Sequence, residues 1–189
     1  MKNRILIFIM SILLAGQTLV SCQRLGLKMD DASQRAFYDD TFDLRTLIRD
    51  EDPPARQAAL RMMAESRENP KKRDLSGDME NAVRLDPTGG YPYYFFAKAL
   101  FDEGDFAKAE LIARKAYSLF GMETDESLRK IWQSKSLFLQ ARAREKKGDL
   151  AKANQLATEA ITLDHDNPLI EEWRLALNAS EKTNEVVAR

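Results

Sequence analysis

The stretch GDFAKAELIARKAYSL, residues 104–119, aligns without a gap with GDLAKANQLATEAITL, residues 148–163. Eight of the sixteen positions are identical. The alanines in each stretch recur at intervals of four and three residues, which places them on one face of a helix. They are Ala109, Ala113 and Ala116 in the first stretch and Ala153, Ala157 and Ala160 in the second. The sequence therefore predicts a repeated helical unit with a small-residue face.

A second helix is expected before each stretch, because bulky and small residues recur there with helical spacing. These are Tyr93, Phe96, Ala97 and Leu100 before the first stretch, and Leu137 and Ala141 before the second. Gly104 and Gly148 supply the left-handed residue that ends such a helix, and Asp105 and Asp149 are predicted to cap the next one. Each unit is thus predicted to be a helical hairpin.

These positions resemble the tetratricopeptide-repeat (TPR) family, whose unit of 34 residues pairs a helix carrying a large and a small residue with an alanine-rich helix. The resemblance implies an all-α fold, a short α-solenoid of about three hairpins at residues 55–167. Its units are 55–89, 90–123 and 124–167. The first is degenerate: it ends in Ala82-Val83-Arg84-Leu85-Asp86-Pro87, but either Asn69-Pro70 or Ser76-Gly77 could break its helices.

The third unit is longer than the family's period. Gly104 and Gly148 lie 44 residues apart, and the excess falls at Thr124–Gln133. Helical spacing continues through this segment, which predicts one long helix from about Asp125 to Lys147. We expect Trp132 to pack on the preceding hairpin.

The flanking segments are predicted to complete the stack. Residues 22–54 would form a tether and one or two N-terminal helices that end before Pro53-Pro54. Residues 168–189 would form a C-terminal capping helix and a tail, with Asn167 as its N-cap and Pro168 in its first position. The polar end, Glu181–Arg189, is predicted to fray.

The N-terminus has the pattern of a lipoprotein signal peptide, residues 1–21. Lys2 and Arg4 precede the apolar segment 5–15, which is too short to span a bilayer. Leu19-Val20-Ser21-Cys22 then resembles the bacterial lipobox, which implies cleavage before Cys22 and modification of its thiol with diacylglycerol. Cys22 is the only cysteine in the chain. The alternatives are an ordinary secretory peptide or a short uncleaved anchor.

Catalytic, metal and cofactor chemistry are not indicated. His165 is the only histidine, so a serine nucleophile would have to use it, and it stands at a helix terminus in the turn-like run 164–167. That acidic run lacks the glycine and distant glutamate of a calcium loop. The formal net charge of −1 gives no reason to expect a nucleic-acid partner. We therefore predict a protein that is not an enzyme and that requires no metal or cofactor.

The resemblance to TPR proteins implies a groove for a partner on the inner face of the first helices. The matching positions that combine aromatic and cationic side chains are Tyr91, Tyr94, Lys98, Phe101, Phe138, Arg142 and Lys146. Tyr94, Lys98 and Phe101 share one side of a helix. The other interpretation is that these aromatic residues form the core and the cations are merely solvated.

Two functions follow from these patterns. The first is an adaptor or scaffold that binds an envelope protein or peptide, as in pilotin-like or outer-membrane assembly roles, and that is held by a lipid on Cys22. Gln23 favours the outer membrane facing the periplasm, if the source is Gram-negative. The alternative is an accessory subunit of an envelope transport system, in which the aromatic run Tyr91–Phe101 lines a ligand pocket.

Overall fold

The computed structural model describes residues 31–69 and 74–187. The predicted signal peptide, Cys22 and the tether 23–29 lie outside the described residues. The chain divides into two compact units at Phe42. In the described part of the first unit, helix α1 spans Asp31–Tyr38. The Phe37 ring lies 5.4 Å from the ring of Tyr38 and 5.3 Å from that of Phe42.

The second unit is a succession of helices. A 3-10 helix at Leu44–Leu47 comes first. The α-helices that follow are α2 (Pro54–Glu68), α3 (Leu75–Leu85), α4 (Gly90–Asp102), α5 (Phe106–Phe120), α6 (Glu126–Lys146), α7 (Leu150–Leu163) and α8 (Pro168–Val187). Within residues 31–69 and 74–187, all regular secondary structure is helical. The predicted all-α helical repeat is confirmed.

The turns inside the two well-defined hairpins form as their sequences predict. Gly104 has a φ of 89° and Gly148 a φ of 81°, in the left-handed region where a side chain would be strained. The carboxylate of Asp105 accepts a hydrogen bond of 3.0 Å from the amide of Lys108. That of Asp149 accepts one of 3.2 Å from the amide of Lys152. These caps satisfy amides that the helix itself leaves free.

The alanine faces form the seams between consecutive helices. Among the residues that the structure describes, eleven alanines have no exposed surface: Ala59, Ala82, Ala97, Ala109, Ala113, Ala116, Ala141, Ala143, Ala153, Ala157 and Ala160. Small side chains let helix backbones approach closely, and larger residues fill the grooves on either side. The last seam is closed by Ile170 of α8, which is fully buried against α6 and α7. The terminal helix therefore covers the end of the stack, as repeat architectures require.

Two details differ from the expectations. Ser76-Gly77 does not break the degenerate hairpin, because it lies inside α3, where the carboxylate of Asp74 accepts a hydrogen bond of 2.8 Å from the amide of Gly77. Helix α8 extends to Val187, beyond the start of the segment 181–189 that was predicted to fray. No glycine or proline interrupts this helix after Pro168, and the side chain of Asn167 caps it at the amide of Leu169.

None of the helices in the described ranges is both long enough and apolar enough to cross a bilayer.

Candidate partner-binding surface

Two of the aromatic residues predicted to face a partner lie in the core instead. Tyr91 and Tyr94 are each only 4% exposed. Their rings pack edge to face on the indole of Trp132, with centroids 4.9 and 5.3 Å away. Because their surfaces are used internally, neither ring presents an open face to a partner.

Trp132 is the centre of this aromatic cluster and has no exposed surface. Its indole stacks on the ring of Phe120 at 5.4 Å and meets the ring of Phe95 at 6.1 Å. Trp132 belongs to the extra turns at the start of α6, and the predicted packing of Trp132 on the preceding hairpin is confirmed. That same contact is what buries Tyr91 and Tyr94.

Phe138 is also part of the packed interior. It is 8% exposed and belongs to the cluster that joins α6, α7 and α8. Its ring lies 5.8 Å from the ring of Trp173, which comes from the terminal helix. The indole nitrogen of Trp173 donates a hydrogen bond of 2.9 Å to Glu145. Phe138 therefore stabilises the end of the stack.

The remaining predicted residues are brought together between α4 and α6. The Cζ atom of Arg142 lies 4.6 Å from the centroid of the Phe101 ring, a cation–π contact. Phe101 is itself held at 5.2 Å by the ring of Phe106. Among the residues that the structure describes, Arg142 has no carboxylate within ion-pair distance. The Phe101 ring thus positions the guanidinium of Arg142, and the N–H groups of that guanidinium remain available to bind a carboxylate.

Lys98 and Lys146 flank this contact on the same helix faces. The ammonium of Lys98 lies 3.6 Å from the carboxylate of Asp102, whose side chain is 55% exposed. Such a partly exposed pair contributes at most about 1 kcal/mol, so Lys98 can exchange this partner readily. Lys146 is exposed one turn after Arg142. We call Lys98, Phe101, Arg142 and Lys146 the cationic face.

A separate pocket was not anticipated by sequence reasoning. It has a volume of about 350 Å³ and lies where the turns between hairpins gather. Its polar walls come from Arg49, Asp52, Arg56, Tyr91 and Glu123. Except for Tyr91, these residues stand in or beside loops with no repeat pattern, so nothing in the sequence connects them. We call this cavity the edge pocket.

No metal centre is found among the residues in the described ranges: no three of their histidine, cysteine, aspartate or glutamate side chains come together in a suitable group. His165 is exposed in the turn between α7 and α8.

Comparison with known proteins supports the fold. No family model and no curated protein matches the sequence. The structure is similar to the N-terminal domain of stress-induced protein-1 from C. elegans, a TPR-containing domain, with a TM-score of 0.55 and 20% sequence identity. The match covers 67% of this chain and 99% of that domain. At this identity the likeness shows a TPR-like fold and nothing about function.

Proposed function

We propose that this protein is a TPR-like adaptor that binds an acidic segment of a protein partner in the bacterial envelope, through the cationic face. The observation that carries the proposal is the state of Arg142. Its guanidinium rests on the Phe101 ring and has no carboxylate within ion-pair distance among the described residues. A half-buried arginine without a counter-ion gains most from a carboxylate that arrives with a partner.

The shape of the face favours an extended segment. Lys98 and Phe101 lie one turn apart on α4, and Arg142 and Lys146 lie one turn apart on α6. Cations spaced in this way can meet successive carboxylates of a peptide, while the Phe101 ring, which is only 7% exposed, holds Arg142 in place. Arginine beside an aromatic residue is a frequent combination at the energetic centre of interfaces.

The proposed location rests on the sequence alone. The apolar segment 5–15 and the lipobox-like Leu19–Cys22 support export and lipidation at Cys22. Gln23 supports the outer membrane, facing the periplasm, in a Gram-negative cell. A pilotin-like role or a role in outer-membrane assembly would combine such an anchor with a protein-binding module.

The transport-accessory alternative is less favoured. It expects the aromatic run of α4 to line a ligand pocket. In the structure Tyr94, Phe95 and Phe96 are each at most 5% exposed and belong to the core. Tyr91, at the start of the run, lines a cavity, the edge pocket.

The cationic face is tested by charge reversal. The double variant Lys98→Glu and Arg142→Glu should reduce capture of crosslinked envelope partners at least about tenfold, because two attractive contacts become repulsive. Capture is measured by quantitative mass spectrometry from detergent-solubilised membranes. The helical circular-dichroism spectrum should not change.

The matched control is Arg84→Glu with Lys115→Glu, which makes the same change in net charge on exposed positions of α3 and α5. If the control loses the same partners as the test variant, binding depends on overall charge alone. If neither variant loses them, the assignment of the face is wrong.

A further inference from the structure

The edge pocket lies apart from the cationic face. It is bounded by the segment before α2, the first turn of α4 and the end of α5. The cationic face instead lies at the C-terminal half of α4 and the second half of α6. The volume of about 350 Å³ falls in the range of sites for small molecules.

Tyr91 lines this pocket, and packing fixes the position of its ring. The ring is fixed between Phe120 and Trp132, with centroids at 5.3 and 4.9 Å. Burial raises the pKa of the hydroxyl and Glu123 raises it further, whereas Arg49 and Arg56 lower it. Tyr91 lines the pocket together with Arg49, Arg56 and Glu123. Within the described residues, its hydroxyl has no hydrogen-bond partner.

Two arginines supply further donors beside it. Arg49 uses its Nη2 atom for Asp52 and Glu123, both at 3.4 Å. Arg56 uses Nε for Asp86 at 3.3 Å and Nη1 for Asp52 at 3.4 Å. In the part of the chain that the structure describes, neither Nη1 of Arg49 nor Nη2 of Arg56 donates a hydrogen bond. Both residues line the pocket.

Two of the three acidic residues that line the pocket, Asp52 and Glu123, already accept hydrogen bonds from the protein. Asp52, whose side chain is 2% exposed, accepts from the backbone amide of Arg49 at 2.9 Å as well as from both guanidiniums. Glu123 accepts from the amides of Thr124 and Asp125, at 3.0 and 3.4 Å. The arginine side chains are more exposed than these carboxylates. The arginines are therefore more accessible to a ligand in the pocket than Asp52 and Glu123 are.

One wall of the pocket is apolar. Leu119, Phe120 and Met122 line it, and Met122 is 66% exposed at the mouth. The two arginines are balanced by Asp52 and Glu123, while Glu51 is exposed at the rim. With Glu51 included, the lining holds two arginines and three carboxylates, a formal charge of −1, so a singly charged acceptor meets less repulsion there than a doubly charged phosphate.

We propose that the edge pocket binds a carboxylate attached to an apolar or aromatic group. The carboxylate would accept hydrogen bonds from Arg49, Arg56 and the Tyr91 hydroxyl. The apolar group would lie against Phe120 and Met122. The first turn of α4, with its partial positive charge, lines the same site.

The test uses 3-phenylpropionate as probe and the indole of Trp132 as reporter. The chain has two tryptophans, so the variant Trp173→Phe leaves Trp132 alone, in contact with Tyr91 and Phe120. The full-length chain is kept in solution with a non-ionic detergent. Adding 3-phenylpropionate should change the fluorescence of Trp132 and reach saturation, with a dissociation constant in the millimolar range or below. The uncharged 3-phenylpropionamide and phenyl phosphate should bind far more weakly.

Two further substitutions are made in the Trp173→Phe background. They distinguish binding of the probe by specific side chains of the pocket from nonspecific association. Tyr91→Phe keeps the packed ring and removes one donor to a charged acceptor, so it should weaken probe binding about tenfold. Arg56→Gln should weaken it at least as much, while Arg84→Gln, remote from the pocket, should have no effect. Equal binding of acid and amide, or unchanged binding in both pocket variants, would overturn the proposal.

The source of the carboxylate is decided by a second pair of probes. The tripeptide Ala-Ala-Phe with a free C-terminus is compared with its C-terminal amide. Tighter binding of the free tripeptide than of 3-phenylpropionate assigns the pocket to a protein terminus, and weaker binding assigns it to a free small molecule. Both results keep the carboxylate site. Because the Lys98→Glu, Arg142→Glu variant should bind the probe normally, this test is independent of the cationic face.

Discussion

Trp132 shows what a single residue adds to a repeat. Its packing on the preceding hairpin follows from its helical spacing, and the structure confirms it. The burial of Tyr91 and Tyr94 could not be predicted in the same way. Repeat positions describe a unit of 34 residues, whereas the covering side chain comes from ten additional residues. The pattern does not specify which neighbours those residues cover.

Replacing Trp132 by Ala should therefore be among the most destabilising single changes in the chain. The indole is fully buried among four aromatic rings, and its loss would leave a cavity that rigid rings cannot close. We expect a loss of about 3–5 kcal/mol in the free energy of unfolding, measured by urea denaturation followed by circular dichroism. Leu111→Ala, at a position 61% exposed on α5, is the control and should change it by less than about 0.5 kcal/mol. A loss below about 1 kcal/mol for Trp132→Ala would contradict the central role of the indole.

At the scale of helices, local chemistry was predictable and long-range charge pairing was not. Gly104 and Gly148 adopt the expected left-handed conformation, and their neighbouring aspartates cap the next helix, because these effects involve only adjacent residues. The degenerate hairpin has no glycine at its turn, so its sequence does not decide whether its helices are separated at Asn69-Pro70 or at Ser76-Gly77. Glu110 is only 4% exposed, although no local sequence pattern indicates a buried carboxylate at this position.

Glu110 links α5 to the end of α6. Its carboxylate lies 2.7 Å from the guanidinium of Arg144 and 3.0 Å from the ammonium of Lys147. Burial alone would raise the pKa of this carboxyl, but the hydrogen bonds from Lys147 and Arg144 outweigh burial and lower it. A pKa that is lower in the folded than in the unfolded chain means that ionisation of Glu110 stabilises the fold.

Glu110→Gln should consequently lower the free energy of unfolding by about 1–3 kcal/mol at neutral pH, because Arg144 and Lys147 lose their shared charge partner. The stabilisation from Glu110 is fully present above its unfolded pKa and is lost as the pH falls through its lower folded value. The difference between wild type and variant should thus shrink as the pH falls below about 4. Thermal unfolding of both proteins at pH 7 and pH 3 measures this difference in stability.

The control for this prediction is Glu126→Gln. Glu126 pairs with Lys130 on the exposed side of α6, and both side chains are at least half exposed. Since solvent screens such a pair, its variant should show little change at either pH. A stability difference for Glu110→Gln that stays constant between pH 7 and pH 3 would mean that its ionisation does not stabilise the fold.

For the whole molecule, the stack of hairpins was predictable from the sequence. The repeated stretches, the alanine face of each helix and the amphipathic segment after the last repeat can all be recognised in the sequence pattern. The candidate partner surface was predictable only in part. Arg142 contacts Phe101 across two helices, but the terminal helix covers Phe138 and the extension of α6 covers the two tyrosines. The edge pocket joins residues from Arg49 to Glu123, a distance along the chain that no local pattern spans.

Cys22 is predicted to decide where the whole molecule resides. A single acyl chain holds a protein on a bilayer only marginally, whereas two or three hold it stably. If Cys22 carries a diacylglycerol, Cys22→Ala should move most of the protein from the membrane fraction to the soluble fraction, or leave an uncleaved precursor. Incorporation of a clickable palmitate analogue should be lost at the same time.

Ser21→Ala is the matched control, because alanine is as small as serine and keeps the lipobox pattern intact. It should leave both membrane association and labelling unchanged. If the Cys22→Ala protein instead stays in the membrane at its mature size, or if the wild type takes up no label, the lipobox interpretation fails. If the unlabelled protein keeps residues 1–21, its membrane association would have to come from the apolar segment 5–15. That segment is shorter than the roughly 20 residues that span a bilayer, so extraction by mild detergent or alkali would be expected to release the protein more easily than it releases a spanning helix.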